Sequence, residues 1–284
     1  MEDDTRSSWL GMVKAPASVF KSTGCAITMP FRDLDYGKVM PPAAEFGKLI
    51  HSYANVQRKK DSAKDPTVYP TSDIYICFCR TPDKAVAYLA GPRTKPRYLE
   101  YVTDDTNFFI VSLSYRGSYA FLPTHQSELT DKSFLLNDLF PKWGQGLTNQ
   151  ICNAEGIEAK VGLFEAFLKK NGSMLTPFPC VMEHVINRLS VENDYQSYIK
   201  NVKNIGYTER HVRRLFLKYT GVSPNKYIRT LKCEAAMKTL TANPEIALAR
   251  VACDLNYCDQ THFIREFKSF YNFTPKQFVK EFLV

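Results

Sequence analysis

Two segments near the C-terminus of this 284-residue chain repeat one another at a spacing of 51 residues. The repeat pairs His211 with His262, Arg214 with Arg265, Phe216 with Phe267, Tyr219 with Phe270, Gly221 with Asn272, Ser223 with Thr274, Pro224 with Pro275 and Tyr227 with Phe278. The exchanges preserve physical roles, because Gly and Asn both tolerate the left-handed backbone that ends a helix. Ser-Pro and Thr-Pro each supply an N-cap followed by proline at the first helical position. The repeat therefore predicts two copies of one helical unit.

Each copy has the pattern of a helix, a tight turn and a second, capped helix, which is the helix-turn-helix arrangement. Apolar residues at helical spacing mark the first helix of each copy: Tyr198, Val202 and Ile205, then Leu248, Val251, Ala252 and Leu255. We assign the turn and the following cap to Gly206 and Thr208 in the first copy, and to Asn256 and Asp259 in the second. Between the copies, residues 223–240 are predicted to form one long helix that sets the separation of the two units.

The outward faces of the two capped helices carry side chains that suit DNA. Arginine can bind guanine in a bidentate way, glutamine can bind adenine, and threonine or isoleucine methyls can contact the thymine methyl. We therefore predict base-facing roles for Arg210, Arg213, Arg214, Gln260, Thr261, Ile264 and Arg265, and phosphate contacts for Lys218 and Lys268. The alternative is an ordinary solvated helix face. Residues 180–284 carry 16 Lys and Arg against 10 Asp and Glu, and the whole chain has a net charge of +8, which favours a polyanionic partner.

At these residues the chain resembles the AraC/XylS family of bacterial transcription regulators. The matching stretches are residues 206–216 and 220–228 in the first unit, and 251–252, 259–268 and 273–275 in the second. Asn201, Asn256 and Lys232 depart from the residues usual in the family. The resemblance implies that the second helix of each unit enters the major groove of a DNA operator. It also implies RNA polymerase as a further partner, and it leaves activation and repression both open.

The first part of the chain predicts a β-rich domain, so the fold class is α+β. Strand-like runs cover 73–79, 85–89 and 108–113, and helical spacing is found around 46–54, 138–152 and 158–169. Residues 91–96, 119–122 and 127–131 are similar to a regulatory domain that precedes some AraC-type units, which implies a cupin-like barrel with helices that dimerise. We place an unassigned lead-in at 1–40, this domain at 41–172, a linker at 173–179 and the DNA-binding domain at 180–284.

Three functions stay open at this point. The chain is a regulator with an effector-binding domain, a regulator whose first domain only forms a homodimer, or an enzyme of the kind in which AraC-type units are fused to a DNA-repair alkyltransferase. The enzyme needs an activated or zinc-bound cysteine, and the eight cysteines contain no CxxC pair. We therefore expect no enzyme activity, no cofactor and no metal, with His211 and His262 as packing residues. No apolar run is long enough to cross a membrane. The N-terminus lacks the features of a signal peptide, so we expect a cytoplasmic location.

Overall fold

The computed structural model describes residues 31–32, 34–58, 67–98, 106–172, 175–180, 182–183, 185–186 and 207–282. The strands in these ranges are β1 (Phe31–Arg32), β2 (Leu34–Met40), β3 (Ile50–Arg58), β4 (Thr67–Val68), β5 (Ile74–Arg80), β6 (Ala85–Ala90), β7 (Arg97–Tyr98), β8 (Asn107–Leu113) and β9 (Ser133–Leu135). The helices are α1 (Tyr115–Phe121), α2 (Leu136–Leu139), α3 (Gly144–Asn153), α4 (Gly156–Asn171), α5 (Glu209–Thr220), α6 (Pro224–Ala242), α7 (Leu248–Asp254), α8 (Gln260–Tyr271) and α9 (Pro275–Phe282).

The strands form two antiparallel sheets. The larger sheet has the order β2-β3-β8-β5-β6-β9, and the smaller has the order β1-β4-β7. The central strand β8 pairs with β3 on one side and with β5 on the other. The predicted strands at 73–79, 85–89 and 108–113 correspond to β5, β6 and β8, and the α+β fold class is confirmed. A closed cupin-like barrel stays a prediction.

Helices α3 and α4 cover the larger sheet. Phe164 of α4 is fully buried, and its ring packs edge-on against Tyr53 of β3 at 6.1 Å and Phe78 of β5 at 6.1 Å. Val161 and Leu168 lie on the same buried face of α4, as the spacing predicted. The predicted helix at 138–152 is instead two helices, because Pro141 lies between α2 and α3 and cannot continue a helix.

The helix predicted around 46–54 is wrong. A 3-10 turn covers Ala44–Phe46, and the strand β3 begins at Ile50. Ile50, Tyr53 and Ala54 are all buried in this strand, which lies between two neighbours in the sheet. A short apolar run that is buried on both faces loses the alternation of a half-exposed strand, so its spacing does not distinguish a strand from a helix.

The described part of the C-terminal region is helical. The long helix α6 begins after the predicted cap Ser223, whose Oγ accepts a hydrogen bond from the backbone N–H of Lys226 at 3.3 Å. The buried residues of α6 include Ile228, Cys233, Ala236, Met237 and Leu240, so the helix packs into the cores of both units rather than along the single face predicted at Tyr227, Ile228, Leu231 and Ala235. The first helix of the first unit, predicted at Tyr198 to Ile205, and its turn at Gly206 lie outside the described residues.

Candidate nucleic-acid interface

Helices α5 and α8, which carry the predicted DNA-binding residues, begin and end in the same way. The Oγ1 of Thr208 accepts a hydrogen bond from His211 N at 3.2 Å, and Asp259 Oδ1 accepts one from His262 N at 2.7 Å. At the other end, Gly221 has φ +81° and Asn272 has φ +62°, so both helices end in the left-handed conformation. The 51-residue repeat therefore corresponds to a repeat of backbone geometry.

The outward face of α5 is basic and open to solvent. Arg210, Arg213 and Arg214 are exposed, whereas Leu217 is half-buried. The opposite face buries Val212 and Phe216. Arg214 Nη2 donates to His211 Nδ1 at 3.1 Å, and the His211 ring stacks on Tyr207 at 5.3 Å. Packing therefore separates the two faces, and the arginines project from the face that the core leaves free.

The corresponding face of α8 is less strongly charged. Gln260, Thr261, Arg265 and Lys268 are exposed, and Ile264 is half-buried against the core of the second unit. Phe263 and Phe267 are fully buried on the opposite side. Lys268 lies in the last turn of α8, and Lys218 lies in the last turn of α5 with its ammonium 5.1 Å from the centre of the Tyr219 ring. The predicted residues thus occupy two separate helix faces, one in each unit.

Asn256 provides the turn between α7 and α8, with φ +53°. Lys232 of α6 donates to the Asn256 carbonyl oxygen at 3.0 Å, and its ammonium lies 5.2 Å from the centre of the Tyr257 ring. Lys232 therefore joins the long helix α6 to the turn. The turn is therefore held from α6 as well as by its own backbone.

A second link between α6 and α8 has no counterpart among the sequence-based predictions. Glu266 of α8 is buried, and its carboxylate accepts hydrogen bonds from Arg229 Nε at 3.0 Å and from the Tyr257 hydroxyl at 3.4 Å. His262 Nε2 lies 3.7 Å from the same carboxylate. Because a buried carboxylate requires such partners, these contacts fix how α8 sits on α6. The sequence did contain a signal for this contact, because Glu266 is an acidic residue at an inward-facing position of a helix that otherwise carries basic residues.

The N-terminal sheet region contacts α5 and also the core formed by α6 to α9. Tyr119 of α1 packs against Tyr219 of α5 at 5.0 Å, and Tyr69 packs edge-on against Tyr271 and Phe273 at 5.4 and 5.6 Å. Tyr69 is only 4% exposed and belongs to the core of the second unit. Sequence periodicity has no means of finding these contacts, because they join residues 100 or more positions apart.

Polar contacts reinforce the same interface. Thr130 Oγ1 donates to the Gly221 carbonyl oxygen at 2.7 Å, and Lys226 Nζ donates to the Thr94 carbonyl oxygen at 3.0 Å. Arg116 of α1 forms an ion pair with Glu183. Gly221 is therefore both the end of α5 and a contact point for the N-terminal region.

No group of three or more metal-ligating side chains occurs among the described residues. Burial raises the pKa of Cys77 to about 12 and the pKa of Cys79 to about 11, and it also raises the pKa of Cys233. Because the thiolate is the nucleophile, these thiols are poor nucleophiles near neutral pH. Within the part of the chain that the structure describes, no helix is both long and apolar enough to span a bilayer.

Comparison with known proteins finds similarity to a family model and to bacterial transcription regulators. A family model described as a helix-turn-helix domain matches residues 202–281. The HTH-type transcriptional activator AarP of Providencia stuartii is 30% identical over 93 residues, which cover 32% of this chain and 62% of AarP. The uncharacterized HTH-type transcriptional regulator YidL of Escherichia coli (strain K12) is 33% identical over 73 residues, which cover 26% of this chain and 24% of YidL. The chain spans less than two thirds of the length of each relative.

Solved structures that match most of the chain include ToxT from Vibrio cholerae. One ToxT structure has a TM-score of 0.44 at 12% identity and covers 89% of this chain and 100% of ToxT. A second, with an unsaturated fatty acid bound, has a TM-score of 0.40 at 10% identity and covers 88% of this chain and 95% of that protein.

Proposed function

We propose, from the premise that residues 202–281 form a helix-turn-helix domain of the AraC type, that this protein is a sequence-specific DNA-binding transcription regulator. Its reading helices are α5 and α8. The observation that carries the proposal is the pair of equivalent helices, each with the same cap, the same left-handed end and an exposed polar face. Two such helices use adjacent major-groove segments when they lie about 34 Å apart, so one chain covers two turns of one DNA face.

The division of roles follows from the position of each side chain. Exposed arginines at the N-terminal and central parts of a reading helix are placed for base edges, and lysines in its last turn are placed for phosphates. We assign base contacts to Arg210, Arg213, Arg214, Gln260, Thr261, Ile264 and Arg265, and phosphate contacts to Lys218 and Lys268. Among these, Arg213 and Arg265 are the exposed arginines with which we test the two half-sites separately.

The N-terminal region regulates this activity, because its side chains are built into both units. A small-molecule effector and a second copy of the chain are the two partners that would act on that region, and RNA polymerase is a further partner at the promoter. The domain boundaries that we propose are those predicted from the sequence, at 41–172 and 180–284. The site of action is the cytoplasm, where the DNA lies, and the proposal requires no enzyme activity.

The test is a titration of variants against a duplex selected from a random pool and against its complete set of single-base changes. Arg213→Ala is expected to relax the preference at one or two adjacent base pairs, worth about 1–3 kcal/mol of discrimination. Arg265→Ala is expected to do the same about one helical turn away.

Lys268→Ala is the matched control, because it lies on α8 with Arg265. It should leave the preferred sequence unchanged and reduce the slope of log affinity against log salt by about one. A uniform loss of affinity in both arginine variants, with no position relaxed, would show that the arginines contact phosphate only. A protein that selects no duplex from the pool would contradict the proposed function itself.

A further inference from the structure

A residue of the N-terminal region lies beside the outward face of α5. His125 lines a cleft of about 480 Å³ whose other lining residues all belong to the first unit: Thr208, Arg210, His211, Arg213, Arg214 and Leu217. Its neighbours Gln126–Glu128 form a 3-10 turn that packs against α5. The cleft is therefore lined by basic side chains of α5 together with an imidazole from the N-terminal region.

The position of His125 is fixed by buried polar contacts. Gln126 is fully buried, its Nε2 donates to the Leu122 carbonyl oxygen at 2.7 Å, and its Oε1 accepts a hydrogen bond from Ser118. His125 Nδ1 lies 2.7 Å from Ser127 Oγ. In the tautomer in which Nδ1 accepts the hydrogen bond from the Ser127 hydroxyl, the ring hydrogen lies on Nε2, and this nitrogen can donate to a ligand.

The turn meets α5 at its C-terminal end and leaves the reading face uncovered. A Cβ placed on Gly221 would lie 2.9 Å from the Gln126 carbonyl oxygen, which shows where the two surfaces touch. Arg210, Arg213 and Arg214 nevertheless remain exposed. The segment therefore lies beside the reading face and does not cover it.

DNA geometry determines which part of the duplex a side chain beside the reading face contacts. The major groove is about 12 Å wide, and an α-helix with its side chains is about 10–12 Å across. A reading helix therefore fills the groove, and the sugar–phosphate backbones run along its flanks. A side chain that stands beside the reading face meets this backbone and has no access to base edges.

We propose that His125 of the N-terminal region binds a DNA phosphate beside the half-site of α5, so that the operator is held by both parts of the chain. The acidic neighbour Glu128 is exposed, and its Oε2 accepts a hydrogen bond from Thr124 Oγ1 at 3.2 Å, within its own turn. This inference rests on the proposed function, because it identifies a further contact of the same DNA site. It also makes the docking of the N-terminal region a determinant of affinity.

The experiment uses the full chain and the duplex selected from a random pool. His125→Ala is expected to weaken binding by about 5-fold for every sequence in the single-base set, because a phosphate contact carries no base preference. His125→Arg is expected to steepen the salt slope by about one unit, because an added cation releases one more counterion. Lys142→Ala, which changes an exposed residue between α2 and α3, controls for the effect of a surface substitution elsewhere in the N-terminal region.

Neutral methylphosphonates placed one at a time along the half-site of α5 identify the phosphate. At one position the neutral linkage should remove the difference between the wild-type protein and His125→Ala, and elsewhere the difference should persist. The inference is overturned if His125→Ala binds as tightly as the wild-type protein, if it binds more tightly, or if its loss falls on particular base pairs. A failure of all variants to bind any duplex would instead contradict the proposed function.

Discussion

Gly221 shows at the scale of one residue how the two copies of the repeat differ. Gly221 and Asn272 have the same left-handed backbone, so the local requirement is the same at both positions. Around Gly221, however, a Cβ would lie 2.9 Å from the Gln126 carbonyl oxygen and 3.0 Å from Pro92 Cγ. Asn272 is exposed. The first copy therefore requires glycine for two reasons, and the second copy requires only a residue that tolerates positive φ.

We expect Gly221→Ala to lower the free energy of unfolding by at least 1–2 kcal/mol. About that much comes from the left-handed conformation alone, and the contact with the N-terminal region adds to it. Gly162→Ala is the control, because Gly162 lies inside α4 and a Cβ added there would meet no other atom within 4 Å. This control should raise the free energy by about 0.5–1 kcal/mol. Urea unfolding of both variants measures the two values, and equal shifts in one direction would refute the argument.

Glu234 is a second residue whose properties depend on contacts between the two regions. Burial, with the nearby charge of Asp73, raises the pKa of the Glu234 carboxyl to about 7, while Lys238 and a hydrogen bond from Thr71 oppose the shift. Burial also disfavours the charge of Asp73, but the neighbouring His51 holds the pKa of Asp73 below its usual value. Asp73 therefore keeps its charge, and Glu234 takes up the proton.

This arrangement predicts how stability changes with pH. Because the pKa of Glu234 is higher in the folded protein than its ordinary value of 4.5, the folded state binds more protons than the unfolded chain between about pH 4.5 and 7. Its contribution to stability is therefore present at low pH and is lost as the pH rises through about 7. We expect the difference in unfolding free energy between Glu234→Gln and the wild-type protein to grow in favour of the variant across this window. The exposed Glu245→Gln serves as control, and a difference that is constant with pH would disprove the prediction.

At the scale of elements, α8 is joined to α6 by the ion pair between Arg229 and Glu266. Glu266 is 8% exposed while Arg229 is 43% exposed, so the pair lies at the edge of the interface. Removal of Arg229 leaves the buried Glu266 carboxylate with weaker partners. This lowers the free energy of unfolding more than removal of both charges does.

Arg229→Ala is expected to reduce stability by about 1–3 kcal/mol and to weaken discrimination mainly in the half-site of α8. Glu266→Gln combined with Arg229→Ala should recover part of the lost stability, because the uncompensated charge is then absent. The measurement is a double-mutant cycle by denaturant unfolding, followed by the single-base titration. If the two substitutions are strictly additive, or if both half-sites respond equally, the pair does not position α8.

At the scale of the whole molecule, the two regions share their cores. Tyr69 packs among Tyr271 and Phe273, and Tyr119 packs on Tyr219 and Phe178. Because of these aromatic contacts, displacement of the N-terminal region changes the packing behind both α5 and α8. This is a physical route by which events in the sheet region reach the two faces that we propose to bind DNA.

Tyr69→Ala in the full chain is expected to cost about 2–4 kcal/mol of stability, since a large buried ring is removed. It should also weaken binding at the half-site of α8 more than at that of α5, whereas Tyr69→Phe retains the ring and should have a smaller effect. Thermal unfolding and the single-base titration give the two readouts. A fragment of residues 176–284 that unfolds at the same temperature as the full chain, and binds DNA equally well, would contradict this coupling.

The sequence alone determined the features that depend on neighbouring residues or on a short period. The caps at Thr208 and Asp259, the left-handed ends at Gly221 and Asn272 and the long helix after Ser223 are set by local backbone chemistry, so they could be predicted from the sequence. The strands β5, β6 and β8 followed from their β-branched and aromatic composition.

Only the tertiary structure decided how the pieces meet. Residues 46–54 were predicted to be helical, but the chain from Ile50 onward forms the strand β3. Pairing with two neighbouring strands satisfies the backbone hydrogen bonds of β3 inside the sheet. Three features depend on contacts between distant parts of the chain: Tyr69 in the second core, the Arg229–Glu266 pair and His125 beside α5. Each of them joins residues that are 37 or more positions apart in the sequence. Such contacts depend on the path of the chain in space, and no periodicity along the sequence records that path.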